Sequence, residues 1–159
     1  LALGLSAATA ALLVSASGLG SAVVMLPAGM LADQFSDPGK GRRTLMVAFA
    51  AITLIATCVI PFVAQITWLA WPIVFLWGGA GGSLYTLAMI DIGTREQGIT
   101  LVNSTAVLVL TYTLGGLVAS ATSGALIQWS PTWGFPALLL TVASIGLLAL
   151  VRTRRMSNI

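Results

Sequence analysis

Histidine is absent from this chain of 159 residues, cysteine occurs once, and charged residues make up only 7%. Each shortage excludes a class of chemistry. Without histidine, and with all four acids outside the long apolar runs, zinc sites, serine-histidine triads and aspartyl dyads lack raw material. An enzyme, a metal site or a cofactor is therefore not expected. Cys58 has no second thiol to pair with, so no internal disulfide forms, and within an apolar run it reads as a small packing residue. No base precedes Lys40, and the apolar character continues to Ala32, which argues against a signal peptide with a basic leader and a short core. There is also no initiating methionine, so the sequence reads as a fragment that begins inside a longer protein.

What is abundant is apolar. Soluble domains carry roughly a quarter of their residues as charges, whereas 58% of this chain is hydrophobic, so an integral membrane protein is expected. Uncharged runs of at least about 18 residues, enough to cross roughly 30 Å of hydrocarbon as a helix, occur at about 8–32, 44–64, 68–90, 101–127 and 133–151. The predicted fold is an all-α polytopic membrane protein with five transmembrane helices in one unit covering 1–159. Lys40, Arg42 and Arg43 fall in the first loop, Arg95 in the third, and Arg152, Arg154 and Arg155 in the tail. All seven bases thus lie on one side, which the positive-inside rule makes cytoplasmic. The net charge of +3 is then topological, and nucleic acid is not an expected partner. Trp68, Trp71, Trp129 and Trp133 sit at the opposite ends, where an indole suits the headgroup level, with Trp77 about two turns deeper. An odd number of spans leaves the two ends on opposite sides, and one helix upstream of Leu1 would restore six.

Glycine separates the spans by kind. The first holds Gly18, Gly20 and Gly29, the third Gly78, Gly79, Gly81 and Gly82, and the fourth Gly115, Gly116 and Gly124, while the second has none. In lipid, small residues four apart let helix backbones approach closely. Gly78 with Gly82, and Gly116 with Ser120 and Gly124, have that spacing. The first, third and fourth spans are expected to be contact or cavity helices, the second and fifth to face lipid; glycine is also simply common in membrane helices.

The stretch from Gly29 to Arg43 closes the first span and opens the second. Asp33, at a helix C-terminus, meets the negative end of the macrodipole, a penalty of about 0.3–1 kcal/mol unless a neighbouring helix N-terminus or a base compensates. It is either a conformational latch or a hydrated acid at the membrane edge. Pro27 frees a carbonyl one turn back and is expected to bend the helix, and Gly29 admits a close neighbour. Asp91 and Arg95, four apart, read as an exposed pair of little energetic weight.

Gly29-x-Leu31-Ala32-Asp33 followed by Arg42-Arg43 resembles motif A of the major facilitator superfamily, in the version found in the second half of those twelve-helix transporters. Gly4-Leu5-Ser6 before a small-residue helix, Gly78 to Gly82 leading to Tyr85, and Tyr112-x-x-Gly115-Gly116 extend the resemblance along nearly the whole chain, which looks like helices eight to twelve, a partial six-helix bundle. Gln34 departs from the usual basic residue, and Ser36-Asp37-Pro38 lengthen a normally compact turn. The resemblance implies a secondary transporter of a small molecule (sugar, drug or metabolite) working by alternating access in a cell membrane, the bacterial inner membrane by type, with Gly29, Asp33, Arg42 and Arg43 as a latch. It implies as partners the lipid bilayer, a missing N-terminal half and a small-molecule substrate. It also implies that the first and fourth spans lie between the halves, the third lines the central cavity, and the second and fifth are peripheral.

Trp77, Gly81 and Tyr85 fall on one face of the third span, with Ala88 or Met89 continuing it. They either wall a ligand pocket near the midplane or fill space between helices. Asn103 and Tyr112 need hydrogen-bond partners in a dry environment, in a cavity or between helices. No ionisable residue lies inside a span, so a proton-carrying group belongs to the missing half, or transport is uncoupled or absent. The alternatives are a non-transporting assembly module or truncated product, and a half-size transporter acting as a homodimer.

Overall fold

The computed structural model describes residues 6–35, 37–63, 66–130 and 133–156. Gly4, Leu5 and Ser36 lie outside these, as do the side chains of Arg154 and Arg155. The described residues form five helices, α1 (Ala7–Asp33), α2 (Pro38–Val63), α3 (Thr67–Arg95), α4 (Gly98–Trp129) and α5 (Gly134–Met156), with no strand among them. All five are long and apolar enough to cross a membrane, as suits a multi-pass membrane protein. Helices are the natural outcome because hydrocarbon offers the backbone no hydrogen bonds and each segment must satisfy its own. Pro27, Pro61 and Pro72 lie within α1, α2 and α3 without ending them.

Capping residues fix the ends. The Ser6 hydroxyl accepts the backbone N–H of Thr9 at 3.1 Å and so caps α1. Helix α2 begins six residues earlier than the apolar run suggests, because charged residues in its first two turns mask it from hydropathy. Asp37 accepts the Lys40 backbone N–H at 3.1 Å, and Pro38 occupies the first helical position, where a missing N–H does no harm. Asp37 through Lys40 are therefore a cap and first turn rather than a lengthened loop, and Lys40, Arg42 and Arg43 ride on the helix. The same N–H, aided by the Lys40 ammonium, holds the Asp37 carboxyl below the usual carboxylate range. Between α3 and α4 only Glu96 and Gln97 intervene, and Gly98 takes φ +58°, a left-handed conformation that glycine adopts without penalty.

The closest packing is between α1 and α3. A Cβ on Gly20 would strike the Phe75 carbonyl, one on Gly78 the Ser17 carbonyl, and one on Gly82 the Ser21 side chain. The two backbones are in contact, and only hydrogen fits between them. Helix α2 covers the other side of α3, burying Arg42, Met46, Ala50, Ala56, Thr57 and Val63. At one end Ala32, Met46 and Leu87 form a buried cluster with Leu45, Phe49, Leu84, Ala88 and Leu150 against it. That cluster gathers the C-terminal ends of α1, α3 and α5 with the N-terminal end of α2. Lys40, Arg42, Arg43 and Arg95, with Arg152 two residues beyond Leu150, share this end.

The second span, expected to be more lipid-facing, packs one face on its neighbours through Met46, Ala50 and Ala56 without glycine and leaves Ile55 and Phe62 exposed on the other. The fourth span buries no residue. A Cβ on Gly116 or Gly124 meets nothing within 4 Å, and exposed Ser120 turns its hydroxyl back to the Gly116 carbonyl at 2.8 Å, so these three do not pack within the chain. Cys58 is exposed rather than packed, being on the face of α2 opposite to its contacts.

Overpacking at a backbone contact costs about 1–3 kcal/mol. Gly20→Ala and Gly78→Ala should each destabilise by that amount in detergent-titrated unfolding followed by circular dichroism, while Gly116→Ala should not. Equal effects at all three would refute the α1–α3 contact. For the cap, a depressed carboxyl pKa means its stabilising effect persists through mild acid and fades as pH falls through that lowered value. Hydrogen exchange in the first turn of α2, compared at equal pH with Asp37→Asn, which caps without titrating, should accelerate only in the native chain and only in that acid range.

Candidate functional site

The i, i+4, i+8 spacing on α3 aligns Trp77, Gly81 and Tyr85, and all three line a cleft of about 480 Å³. Helix α1 adds Ser17, Gly18, Ser21 and Met25, α2 adds Thr53, and α4 adds Tyr112. The cleft exists because Gly78 and Gly82 seat α3 directly on α1, while a Cβ at neighbouring Gly81 would meet nothing within 4 Å. One glycine face is closed against a helix and the adjacent one opens into space. Tyr85 and Tyr112 meet along its lining, with ring centroids 5.0 Å apart and planes tilted by 50°, a favourable aromatic arrangement.

Hydrogen bonds fix the wall behind. Trp77 Nε1 donates to Thr57 Oγ1 at 2.9 Å, Thr57 donates to the Thr53 carbonyl at 2.7 Å, and Thr53 donates to the Phe49 carbonyl at 2.8 Å. The indole is thereby pinned to α2 while still lining the cleft. No lining residue is charged. A second groove of about 440 Å³, between α1 and α3 at Leu12, Leu19, Trp71 and Phe75, is nearly all apolar. Its Ser15 hydroxyl is spent on the Ala11 carbonyl at 3.1 Å, so it lacks the convergent polar groups of a ligand site.

Of the cavity residues expected from sequence, Trp77, Gly81, Tyr85 and Tyr112 come together, whereas Met89 and Asn103 line neither space. No lining residue on α3 lies beyond Tyr85, where the tyrosine pair stands, and Asn103 is exposed on α4. The cleft also draws in Ser17, Ser21, Met25 and Thr53, which no motif in the sequence marks. Ser17, Ser21 and Met25 repeat every four residues along α1, the one signal in the sequence that points to them.

The charged end is wired differently from the expected latch. Asp33 is exposed and takes part in no ion pair or side-chain hydrogen bond among the described residues. Gly29 stands in ordinary contact distance of Ile90, 3.5 Å from a Cβ placed on it, and Arg43 is half-buried. Arg42 is the buried base. Its guanidinium donates to Thr94 Oγ1 at 2.9 Å, and its Nε lies 3.5 Å from Asp91 Oδ1. At that separation the pair is held by charge rather than by a proper hydrogen bond, and Nε has no acceptor. Asp91 also receives Arg95 at 3.1 Å, and its side chain is only 23% exposed. Asp91 and Arg95 are therefore not an isolated surface pair but the α3 half of a link to α2.

Removing one partner of a fully buried ion pair costs about 3–5 kcal/mol, and less here because Asp91 is 23% exposed. Asp91→Asn should destabilise the bundle by up to that amount in the same unfolding titration, and Asp33→Asn should leave it unchanged. A larger loss from Asp33→Asn would reverse the assignment.

No protein-family model, curated protein or solved structure matches the chain.

Proposed function

We propose that this chain is the C-terminal half-bundle of a secondary transporter of the major facilitator type, carrying a small molecule across a membrane by alternating access. The observation that carries this reading is the uncharged cleft in which Trp77, Gly81, Tyr85 and Tyr112 meet, beside a helix α4 that buries none of its residues. A half-bundle needs such a bare face, because its partner half completes the cavity and rocks against it. The resemblance of Gly29 to Arg43 to motif A supports the same conclusion. All the bases that the fold places lie at one end, which supports a cytoplasmic location for that end and for the tail, and a bacterial inner membrane by type.

In this reading the latch is relocated. Arg42, Asp91 and Thr94 join α2 to α3 at the cytoplasmic end, and the long Arg42–Asp91 separation leaves a buried donor that a different helix arrangement is able to satisfy. Asp33 remains available to the other half. Coupling to a proton falls outside the cleft, since none of its lining residues is acidic or basic.

The bare face of α4 also suits a second copy of this chain, a half-size transporter acting as a homodimer. Crosslinking in detergent decides between the two: a stable dimer from this chain alone favours the homodimer, and monomer alone favours a separate partner half. Transport itself is tested by flux into vesicles containing the full-length gene product. Solute movement that Trp77→Ala reduces at least about tenfold in kcat/KM, and Tyr85→Phe by less, is expected for cavity residues that bind through a ring face and a hydroxyl. Movement unchanged in both variants removes them from the cavity, and the absence of flux under every ion gradient removes the transport reading.

A further inference from the structure

We infer that the cleft takes an uncharged solute bearing a flat ring, which stacks on Trp77, and that buried Thr57 is the positioning residue that holds Trp77 for this purpose. The inference rests on the transport reading only for what happens after binding.

The charge of the ligand follows from the lining. Seventeen to 112, the lining residues offer hydroxyls, glycine backbone, one thioether and three aromatic rings, and no ionised side chain. Against the wall that this chain supplies, an ion gives up water without meeting an opposite charge. Aromatic faces attract cations, but that attraction is several-fold smaller than the desolvation penalty of an unpaired ion. A neutral solute avoids both difficulties.

The ring follows from which polar atoms are already engaged. The Trp77 N–H is spent on Thr57 and the Thr53 hydroxyl proton on the Phe49 carbonyl. Trp77 therefore offers a ligand carbon surface alone. The hydroxyls of Ser17, Ser21, Tyr85 and Tyr112 make no hydrogen bond to another described residue, and they line the same cleft as donors and acceptors. A flat carbon face in a cleft with free hydroxyls matches a flat ring that carries polar substituents, such as an aryl glycoside or an aromatic alcohol.

Thr57 does not line the cleft and is 2% exposed. Its oxygen accepts from the indole and donates onward to the Thr53 carbonyl, so it is oriented by its own helix and orients Trp77 in turn. Valine has the same shape and no acceptor. With Thr57→Val the indole N–H loses its acceptor and the Thr53 carbonyl its donor, so the indole is no longer held against α2 and the stacking surface loses its fixed orientation.

The test uses the full chain in lipid vesicles with Trp68, Trp71, Trp129 and Trp133 changed to Phe, which leaves Trp77 as the sole emitter. Three probes share a nitroarene quencher and differ in charge: 4-nitrophenyl β-glucoside, (4-nitrobenzyl)trimethylammonium and 4-nitrobenzoate. The glucoside should quench Trp77 saturably, with the two ions at least about tenfold weaker. Thr57→Val should weaken the glucoside by about tenfold and shift the emission maximum of Trp77, while Thr57→Ser, which keeps the oxygen, should restore both. A charged probe that binds as tightly as the glucoside, or no saturable quenching by any probe, overturns the ligand class. Failure of Thr57→Ser to recover what Thr57→Val loses overturns the positioning role. Saturable quenching by this chain, together with no flux through the full-length gene product, removes the transport reading and leaves this one standing, whereas flux of a probe that never quenches Trp77 does the reverse.

Discussion

The contact between the backbones of α1 and α3 is the constraint from which the remaining arrangement follows. Gly20, Gly78 and Gly82 permit an approach at which any side chain would meet a carbonyl or a neighbouring side chain. Hydrocarbon surrounds the helices equally well when they are apart, so no hydrophobic force drives them together. Dispersion across a close interface has to do so, and it falls steeply with separation. Once α3 is seated on α1, its opposite side is free for α2, and the face between opens at Gly81 as a cleft.

Helix α3 carries both features on which the proposed function rests. Trp77 and Tyr85 face the cleft, while Asp91, Thr94 and Arg95 meet Arg42 at the charged end. From Tyr85 to Asp91 is six residues, about 9 Å along a helix axis. Both are also tied to α2, Trp77 through Thr57 and Asp91 through Arg42. A displacement of α3 against α2 therefore strains the cleft wall and the ion pair together. That shared attachment is a physical basis on which occupancy of the cleft and the state of the charged end would influence each other.

Much of the fold was legible because the spans obey a simple length and polarity rule. Each expected span overlaps its helix almost end to end, and the largest error, at the start of α2, arose where Asp37, Lys40, Arg42 and Arg43 interrupted the hydropathy of a helix that capping had already begun. The aligned face of Trp77, Gly81 and Tyr85 was legible for the same reason, being a matter of helical period. What failed was inference about neighbours. Glycine content marked α4 as a contact or cavity helix and α2 as more lipid-facing; in the structure Tyr112 of α4 lines the cleft while Gly116 and Gly124 stay bare, and α2 packs one face without glycine, because a glycine marks only permission for close approach. Whether a helix arrives there depends on the rest of the bundle. Alanines at 50 and 56 were enough for α2, and Gly116 and Gly124 meet nothing.

The sequence by itself determined five helices long and apolar enough to cross a membrane, the approximate place of each and which end carries the bases, since these depend on local composition and on the backbone satisfying its own hydrogen bonds. Only the tertiary structure decided that Arg42 pairs with Asp91 rather than leaving Asp33 as the charged contact, that Thr57 holds Trp77, and that Ser17 and Ser21 share a cleft with Tyr112. Those are contacts between helices separated along the chain, set by interhelical distances of a few ångströms. No periodicity within a single segment encodes them.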